Sequence, residues 1–397
     1  MKREDIVVAG SRALAEGGFS AVDLAAIAET VGLKPTSIRY YFKNREDLAE
    51  AVYIRRIEEL ERSFVIAQTE DTVFDAVHRL LRIELSRLLE YAEGRGMRPV
   101  QLGEIRSLQT ERRRKIARHF FKLVERAKGL LAAHGVSGAD SSNATSAYLL
   151  LENVFWLPAW INQYRTWEYD HVARHLARLI CDGPFPKGNM PNYSVMDEDG
   201  PDDSSGQVDR NAFLRAATRL ICDRGYRGTS IDLIAAELGV TKGSFYHHNQ
   251  MKISLVEECF AESYARIGNF QRRSRELSQD AATRIASVQA SIVRLQFEQM
   301  APIIRASALP TLPSKLRAAV IDDAKPIIRW LAGELARADM QMRGTAGMDP
   351  YIGAQYLSIG ANAAYDIARF APKDGPAPDQ THYVRLLLSG ITCRVWA

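Results

Sequence analysis

A short strip of basic residues near the N-terminus has the chemistry needed to contact phosphate groups. Lys34, Arg39, Lys43 and Arg45 follow one another with no acidic residue before Glu46, and two adjacent tyrosines lie inside the strip. The whole chain of 397 residues has a formal net charge of only +4, which does not by itself indicate nucleic-acid binding. The basic charge is therefore local, and its meaning depends on the element that carries it.

The strip belongs to a unit that occurs twice in the chain. Residues 6–52 and 213–259 align without a gap and keep the same apolar spacing and the same glycines. A unit repeated along a chain is the first feature that a fold has to explain. Each copy predicts three short helices, with a glycine-containing turn between the second and the third. Two short helices joined by such a turn form a helix-turn-helix.

Capping chemistry predicts that the helices start at the same register in both copies. In the second copy, Thr229 is expected to cap the second helix, with Asp232 three residues later, and Thr241 is expected to cap the third. In the first copy, Val22 stands in the place of Thr229. Pro35 fits the first position of the third helix, where its missing N–H costs nothing.

Both copies share a longer pattern than a helix-turn-helix alone requires. The first copy contains Gly18-Phe19, Ile27-Ala28, Gly32-Leu33 and Arg39-Tyr40-Tyr41-Phe42-x-x-Arg45-x-x-Leu48; the second contains Gly225-Tyr226, Ile234-Ala235, Gly239-Val240 and Tyr246-His247-His248-x-x-x-Lys252-x-x-Leu255. This pattern resembles the DNA-binding domain of TetR-type repressors. A lone helix-turn-helix pattern would be weak, but this one is long and occurs twice.

The resemblance implies which residues contact DNA. The third helix would enter the major groove, and basic residues beside it would hold phosphates. In the second copy, Asn249 stands where the family has an aromatic anchor and Ile253 where an acidic residue is usual, so that copy is expected to bind DNA less well. The implied DNA-binding residues are Thr36, Ser37, Arg39, Tyr40, Tyr41 and Arg45 in the first copy, and Lys242, Gly243, Ser244, Tyr246, His247, His248 and Lys252 in the second.

The rest of the chain predicts helices only, because no stretch alternates with period two. The expected fold class is all-α, with two tandem TetR-like modules, each a three-helix helix-turn-helix DNA-binding domain followed by a helical ligand-binding and dimerisation domain. The predicted divisions are a first DNA-binding domain at 1–50, a first helical domain at 51–182, an acidic Pro/Gly linker at 183–208, a second DNA-binding domain at 209–257 and a second helical domain at 258–397.

By resemblance, the helices beyond each DNA-binding domain would enclose an effector pocket. Aromatic residues on helices more often belong to a plain core or a dimer interface, and that alternative stays open. A basic run, Arg112 to Lys115, is expected to form a solvated helix face rather than a DNA contact. The tentative effector-binding residues are Phe120, Phe121, Tyr148, Phe155, Trp156 and Trp160.

The linker at 183–208 contains four prolines, four glycines and five acidic residues against one lysine, which is typical of a solvated connection. Family members resembling either module work as two-fold dimers. Tethering raises the effective concentration of the partner module to roughly millimolar, so the two modules are expected to pair within one chain as an intramolecular pseudo-dimer. A homodimer of chains is the alternative assembly.

Other classes of function find little support in the sequence. His171 and His175 lie one helical turn apart, but no third metal ligand is evident, so no metal site and no cofactor are expected. There is no phosphate-binding glycine loop, nucleophile elbow or paired-carboxylate motif, and the chain is expected not to be an enzyme. The four cysteines are far apart, and no apolar run approaches the roughly 18 residues of a membrane span. A cytoplasmic location is expected.

The sequence therefore predicts a sequence-specific DNA-binding transcriptional regulator. Its expected partners are a double-stranded DNA operator and a small hydrophobic effector that releases a repressor from that operator. The alternative is an interaction protein in which one module, more often the second, has lost DNA binding and acts only as a dimerisation partner.

Overall fold

A computed structural model describes residues 2–136, 140–185, 190–198, 210–226, 228–239, 252–312, 314–341, 347–369 and 379–392. All regular secondary structure in those ranges is helical, which confirms the all-α fold class. The α-helices are α1 (Lys2–Gly17), α2 (Leu24–Thr30), α3 (Ile38–Tyr41), α4 (Arg45–Ala67), α5 (Val73–Ala92), α6 (Thr110–Ala133), α7 (Asp140–Trp160), α8 (Tyr169–Asp182), α9 (Arg210–Arg224), α10 (Ile231–Glu237), α11 (Lys252–Leu277), α12 (Ala281–Glu298), α13 (Ser314–Gln341), α14 (Pro350–Arg369) and α15 (Gln380–Ser389).

Contacts divide the chain into two compact units. The first unit comprises residues 1–135 and 153–174, and the second comprises 136–152 and 175–397. Each unit contains one copy of the repeat. The second unit also contains the first part of α7 and the last part of α8, although both helices precede the linker in sequence.

In the first unit, the DNA-binding repeat is held together by α1, which packs on α4. The contact is close because α1 has a glycine at its centre: a Cβ atom at Gly10 would lie 2.9 Å from Cγ of the buried Leu48. A larger residue at position 10 would push the two helices apart. Ile6 and Leu14 complete the apolar face of α1.

A buried ion pair joins α4 to α5 in the same unit. The Arg56 Nη2 atom lies 2.6 Å from Glu84 Oε2, and the Ser63 hydroxyl donates a hydrogen bond of 3.0 Å to the other Glu84 oxygen. Burial alone would raise the pKa of Glu84, which is 2% exposed, but the guanidinium groups of Arg56 and Arg87 outweigh that effect. The net result is a pKa below the ordinary value of 4.5.

A second ion cluster joins α6 to the start of α4. Arg112 lies 3.3 Å from Glu46, 2.6 Å from Asp47 and 3.1 Å from Glu50, and Lys115 pairs with Glu50 as well. The expectation that this basic run forms a solvated face is therefore wrong for Arg112, whose side chain is 20% exposed, but Lys115 stays exposed. Residues spaced three apart on α6 face α4, where the carboxylates of its first turns offer an opposite charge.

An apolar cluster of the second unit includes its DNA-binding repeat. The cluster combines α9, α10 and α11 with the segment after α12 and the start of α13. Its buried members are Phe213, Leu214, Ala216, Ala217, Leu220, Ile221, Ile234, Leu255, Val256, Cys259, Phe260, Ile304, Ala308, Leu312 and Val320. The repeat is thus packed directly on the helical bundle that follows it.

Part of the linker, residues 190–198, lies against this unit without regular secondary structure. The backbone N–H groups of Ser194 and Met196 donate hydrogen bonds of 3.1 and 2.9 Å to the hydroxyls of Ser287 and Ser291 on α12. The Arg294 guanidinium donates to the Met196 carbonyl at 2.9 Å. Two serines one helical turn apart therefore receive alternate N–H groups of the extended chain.

The acidic end of the same segment is held by three arginines. Glu198 accepts hydrogen bonds of 2.5 and 2.9 Å from Arg266, and Asp197 pairs with Arg294 and accepts from Arg273 through its carbonyl. Residues 190–198 of the predicted linker are therefore attached to the second unit, although Asp197 keeps 86% of its side chain exposed. Opposite charge on α11 and α12 binds the acids that the composition assigns to solvent.

Residues 136–152 and 175–182 pack on α14 and α15 within the second unit. A Cβ at Gly360 of α14 would lie 2.3 Å from Leu387 Cδ1 and 3.2 Å from Leu149 Cδ1, so a larger residue there would displace the Leu387 side chain. The chain after α15 runs beside the end of α8, where the Ile391 N–H donates to the Ile180 carbonyl at 2.9 Å. Helices from both sides of the linker thus share one interior.

Helix capping differs from the expectation in both copies. Asp23 caps α2, accepting a hydrogen bond of 2.8 Å from the Ala25 N–H, and Ser230 caps α10 at the corresponding place. Thr229 is not the cap: its buried hydroxyl donates to the Gly225 carbonyl at 3.0 Å. The cap lies one residue later than expected because the threonine side chain turns inward to satisfy the end of α9.

Among the described residues, no helix is both long and apolar enough to cross a membrane. Cys181, Cys222 and Cys259 are buried, and Cys393 lies outside the described residues.

Replacing the buried carboxylate tests the α4–α5 pair. Glu84→Gln is expected to reduce the free energy of unfolding of the first unit by about 3–5 kcal/mol, because Arg56 stays buried opposite a neutral amide. Since the folded-state pKa of Glu84 is lowered, its contribution is complete above pH 4.5 and is lost as the pH falls below that value. Urea unfolding between pH 7 and pH 3 measures both effects.

Glu58→Gln is the matched control, because Glu58 is an exposed residue of α4. It should change stability by less than about 0.5 kcal/mol. Equal effects of the two substitutions would show that the Arg56–Glu84 pair does not hold the helices together.

Candidate DNA-binding face and effector region

In the first copy, the turn between α2 and α3 depends on Gly32, whose φ is 68°. That left-handed conformation lets the Leu33 N–H donate to the Ala28 carbonyl at 2.8 Å and closes α2. The Ser37 N–H then donates to the Lys34 carbonyl, and α3 begins at Ile38. Pro35 therefore lies in a turn before the helix, not at its first position, because that turn occupies residues 34–37.

Two buried side chains attach α3 to the rest of the repeat. Ile38 is fully buried and Phe42 nearly so, one on each end of this four-residue helix. A capping box follows immediately: Asn44 accepts from the Asp47 N–H at 3.0 Å, and Asp47 accepts from the Asn44 N–H at 3.3 Å. The inward face of α3 is thus fixed at both ends.

The opposite face of α3 is open to solvent. Thr36, Ser37 and Arg39 are exposed, and the Tyr40 side chain is 90% exposed. The Tyr41 ring is partly buried and meets the Tyr40 ring edge-on, with centroids 5.5 Å apart. Five of the residues implied by the resemblance therefore belong to one short surface, and the most exposed is an aromatic residue.

Cations flank this surface on both sides. The Arg45 guanidinium lies over the Phe19 ring at 4.9 Å, and the exposed Arg3 lies over the Phe42 ring at 5.1 Å. Lys2 donates to the Val31 carbonyl at 3.2 Å, beside the Gly32 turn. The sequence reasoning named Arg45 but missed Lys2 and Arg3. Two cations at the start of α1 are visible in the sequence, but the sequence pattern does not indicate that α1 begins close to α3.

In the second copy, α9 and α10 keep the same arrangement, and Gly239 closes α10 with a φ of 66°. Lys252 begins α11, but its side chain is not described. Six of the seven predicted DNA-binding residues of this copy lie outside the described residues, namely Lys242, Gly243, Ser244, Tyr246, His247 and His248. Their role stays a prediction.

Five of the six tentative effector-binding residues belong to the first unit. The Phe120 and Phe155 rings stack with centroids 6.0 Å apart, and Trp160 meets Tyr164 edge-on at 6.2 Å. Trp160 is 5% exposed, and its buried Nε1 has no hydrogen-bond partner among the described residues. Trp156 is partly buried, whereas Phe121 is 52% exposed and faces away from a core.

The sixth residue, Tyr148, belongs to the second unit. Its hydroxyl donates a hydrogen bond of 3.2 Å to Asp366 on α14. Of the two histidines considered as metal ligands, His175 accepts a hydrogen bond from the Asp349 N–H at 3.3 Å, and His171 is exposed. In the part of the chain that is described, no three metal-ligating side chains converge.

Comparison with known proteins identifies the repeat. The family model for bacterial regulatory proteins of the tetR family matches residues 6–52 and 213–259. These are the same two stretches, with the same ends, that align with each other within this chain.

Two curated proteins are similar over part of the chain. The Transposon Tn10 TetC protein of Escherichia coli is 31% identical over 67 residues, which is 17% of this chain and 34% of that protein. The HTH-type transcriptional repressor KstR2 of Rhodococcus jostii (strain RHA1) is 41% identical over 58 residues, 14% of this chain and 28% of that one. The chain thus spans about a third or less of the length of these relatives.

Solved structures of similar proteins include apo AibR, which is 24% identical, with a TM-score of 0.36, covering 45% of this chain and 97% of that one. A transcriptional regulator of the TetR/AcrR family from Thermobifida fusca YX-ER1 is also 24% identical, with a TM-score of 0.33. The match covers 45% of this chain and 94% of the chain of that regulator.

Proposed function

We propose that this chain, which belongs to the TetR family and carries two of its modules in tandem, is a cytoplasmic repressor of transcription. It binds a DNA operator through its repeats and is released by a small hydrophobic effector. The observation that carries the proposal is the exposed face of α3 in the first repeat. There, Arg39 and Tyr40 project from a helix that Ile38 and Phe42 hold from behind.

The exposed face has the side chains that groove recognition needs. A tyrosine that is 90% exposed contributes nothing to packing, but it offers a ring and a hydroxyl to base edges. Hydroxyls of Thr36 and Ser37 and the guanidinium of Arg39 add donors, and Arg45 supplies charge for a phosphate. Among the described residues, no carboxylate pairs with Arg39, so its charge is available to DNA.

A route from effector to operator is supported by the Arg112 cluster. Arg112 joins α6 to Glu46, Asp47 and Glu50 in the first turns of α4, directly after α3. Phe120 lies two turns further along α6 and stacks on Phe155. A ligand that separates those rings would shift α6 and, through the ion cluster, the end of α4 that supports α3.

We further propose that the two modules pair within one chain. Packing of residues 136–152 and 175–182 on α14 and α15 supports this, because those segments end the first predicted module and α14 and α15 end the second. The division into domains at 1–50, 51–182, 183–208, 209–257 and 258–397 is part of the same proposal. A single chain would then present two unlike repeats to an asymmetric operator.

The alternative is that the second module serves only for pairing. Asn249 and Ile253, which depart from the family pattern, favour it. Selection of bound DNA from a random pool distinguishes the two functions, because a regulator with two reading repeats selects two half-sites and the alternative selects one.

Operator binding tests the exposed face. Arg39→Ala and Arg45→Ala should each weaken binding of the selected duplex and make the salt dependence shallower by about 0.9 units of slope, since one phosphate contact is lost. Tyr40→Ala should instead reduce discrimination between bases. Fluorescence anisotropy over a range of KCl concentrations measures affinity and slope together.

Arg62→Ala is the matched control, because Arg62 is an exposed arginine of α4 seventeen residues after Arg45. It should leave affinity and slope unchanged, and all four variants should keep their helix content. If Arg39→Ala and Arg45→Ala behave like Arg62→Ala, the first repeat does not bind DNA through this face.

Intrinsic fluorescence tests the effector. A panel of small hydrophobic acids, amines and alcohols, added one at a time, should include a compound that quenches tryptophan emission and raises the melting temperature. Trp160→Phe should remove most of that quenching, and Trp167→Phe should not, because Trp167 is 79% exposed. A panel that changes neither quantity would show that these aromatic residues are only packing.

Mass in solution tests the pairing. A chain whose modules pair internally should have a mass near 44.4 kDa alone at micromolar concentration, and should bind the selected duplex as one chain per duplex. Sedimentation equilibrium measures it. A stable species of two chains that protects a palindrome would show that the modules pair between chains instead.

A further inference from the structure

The segment that follows α12 turns into the interior of the second unit. Gln299 ends the helix in a left-handed conformation with a φ of 58°, which no other non-glycine residue adopts in the described part of the chain. The turn sends Ile303, Ile304 and Arg305 into the core, where all three are buried. We call residues Ala301–Ala306 the buried loop; the preceding Met300 is 72% exposed.

A loop can be buried only if its backbone polar groups are satisfied, and here four helices supply the partners. From α9, Cys222 approaches the Ile303 carbonyl at 3.9 Å, and from α11 the Ser263 hydroxyl accepts from the Ile304 N–H at 3.1 Å. From α12, the Gln296 side-chain oxygen accepts a hydrogen bond from the Ile303 N–H. From α14, the Asn362 amide donates to the Ile304 carbonyl and accepts from the Ala306 N–H. From α11, the Arg266 guanidinium donates to the carbonyls of Ala301 and Pro302.

The side chain of Arg305 extends this network to α7. Arg305 is 4% exposed and pairs with Asp366 of α14, while its other end lies 3.8 Å from Glu152 of α7. Tyr148, one turn earlier on α7, donates its hydrogen bond to the same Asp366. A buried guanidinium that loses a carboxylate partner is strongly disfavoured, so a shift of α7 has to move Arg305 or Asp366 with it.

The buried loop and α14 also contact the end of α9. Tyr365, the neighbour of Asp366, donates a hydrogen bond to Asp223, and Cys222 contacts the loop itself. Helix α9 is the first helix of the second DNA-binding repeat. The buried loop and the Tyr365-Asp366 pair are therefore bonded to α7 at one end and to the DNA-binding repeat at the other.

We propose that the buried loop couples α7 to the second DNA-binding repeat, so that displacement of α7 by a ligand of the first module changes how firmly α9 is held and how tightly that repeat binds DNA. The inference rests on the proposed function for its last step only. The energetic coupling between α7 and α9 itself is expected in the free chain, without DNA or effector.

Hydrogen exchange in the full chain tests that coupling. Tyr148→Phe and Glu152→Gln each remove a polar contact of α7 with the network and keep the shape of the side chain. Each should speed amide exchange in α9 by about fivefold and leave exchange in α13 unchanged. Peptide-resolved mass spectrometry of wild type and variants, without ligand, gives both rates.

Tyr356→Phe is the matched control. Tyr356 is a fully buried tyrosine of α14, displaced by 208 residues from Tyr148 in the repeat, and its hydroxyl has no hydrogen-bond partner among the described residues. This variant should leave α9 exchange unchanged. The proposal is overturned if Tyr148→Phe and Glu152→Gln leave α9 unchanged, if they speed α9 and α13 equally, or if Tyr356→Phe has the same effect.

DNA binding tests the functional step separately. With a duplex selected by the wild-type chain, Tyr148→Phe should change affinity at the half-site of the second repeat at least threefold and leave the half-site of the first repeat unchanged. A chain that selects no duplex disproves the proposed function, while the exchange result still decides the coupling. Altered α9 exchange with unaltered affinity would refute the regulatory step.

Discussion

A guanidinium group inside a protein has to be paired, and both units of this chain are built around that requirement. In the first unit, Arg56 is buried against Glu84, which ties the helix that supports the DNA-binding face to the bundle behind it. In the second, Arg305 is buried between Asp366 and Glu152. Because removal of either partner leaves an uncompensated charge in the interior, the helices that carry these groups can move only together. Packing of apolar residues tolerates small shifts better than such pairs do.

The two modules differ in where a buried arginine is paired. Ser263 occupies the place in α11 that Arg56 occupies in α4, and its hydroxyl binds the backbone of the buried loop rather than a carboxylate. At this one position the first unit therefore has a charged pair, and the second has a neutral hydrogen bond to an internal loop. Two modules of one origin have acquired different internal connections. This difference gives the chain the means to make its two DNA-binding repeats respond differently.

The acidic segment before the second repeat shows how a linker becomes part of a fold. Ser287 and Ser291 leave room on α12 for an extended chain, and their hydroxyls accept two of its N–H groups. Arg266 then binds both Glu198 and the carbonyls that lead into the buried loop. The segment thus contacts the same network that holds α9. Its acidic residues Glu198 and Asp197 pair with Arg266 of α11 and Arg294 of α12.

The sequence by itself determined the repeat, the all-α class and the exposed face of α3. The first two follow from local rules, since Gly32 and Gly239 need a positive φ and apolar residues recur at helical spacing, and the face of α3 follows from the family resemblance of the repeat. Tertiary structure alone decided the partners of Arg112, Arg305 and Glu198. Nothing in a local pattern says which distant carboxylate a given arginine meets, or that Tyr148 points to Asp366 rather than to an effector. Such pairs arise only when helices pack, because the cost of leaving a charge or hydroxyl unpaired is set by the burial that packing creates.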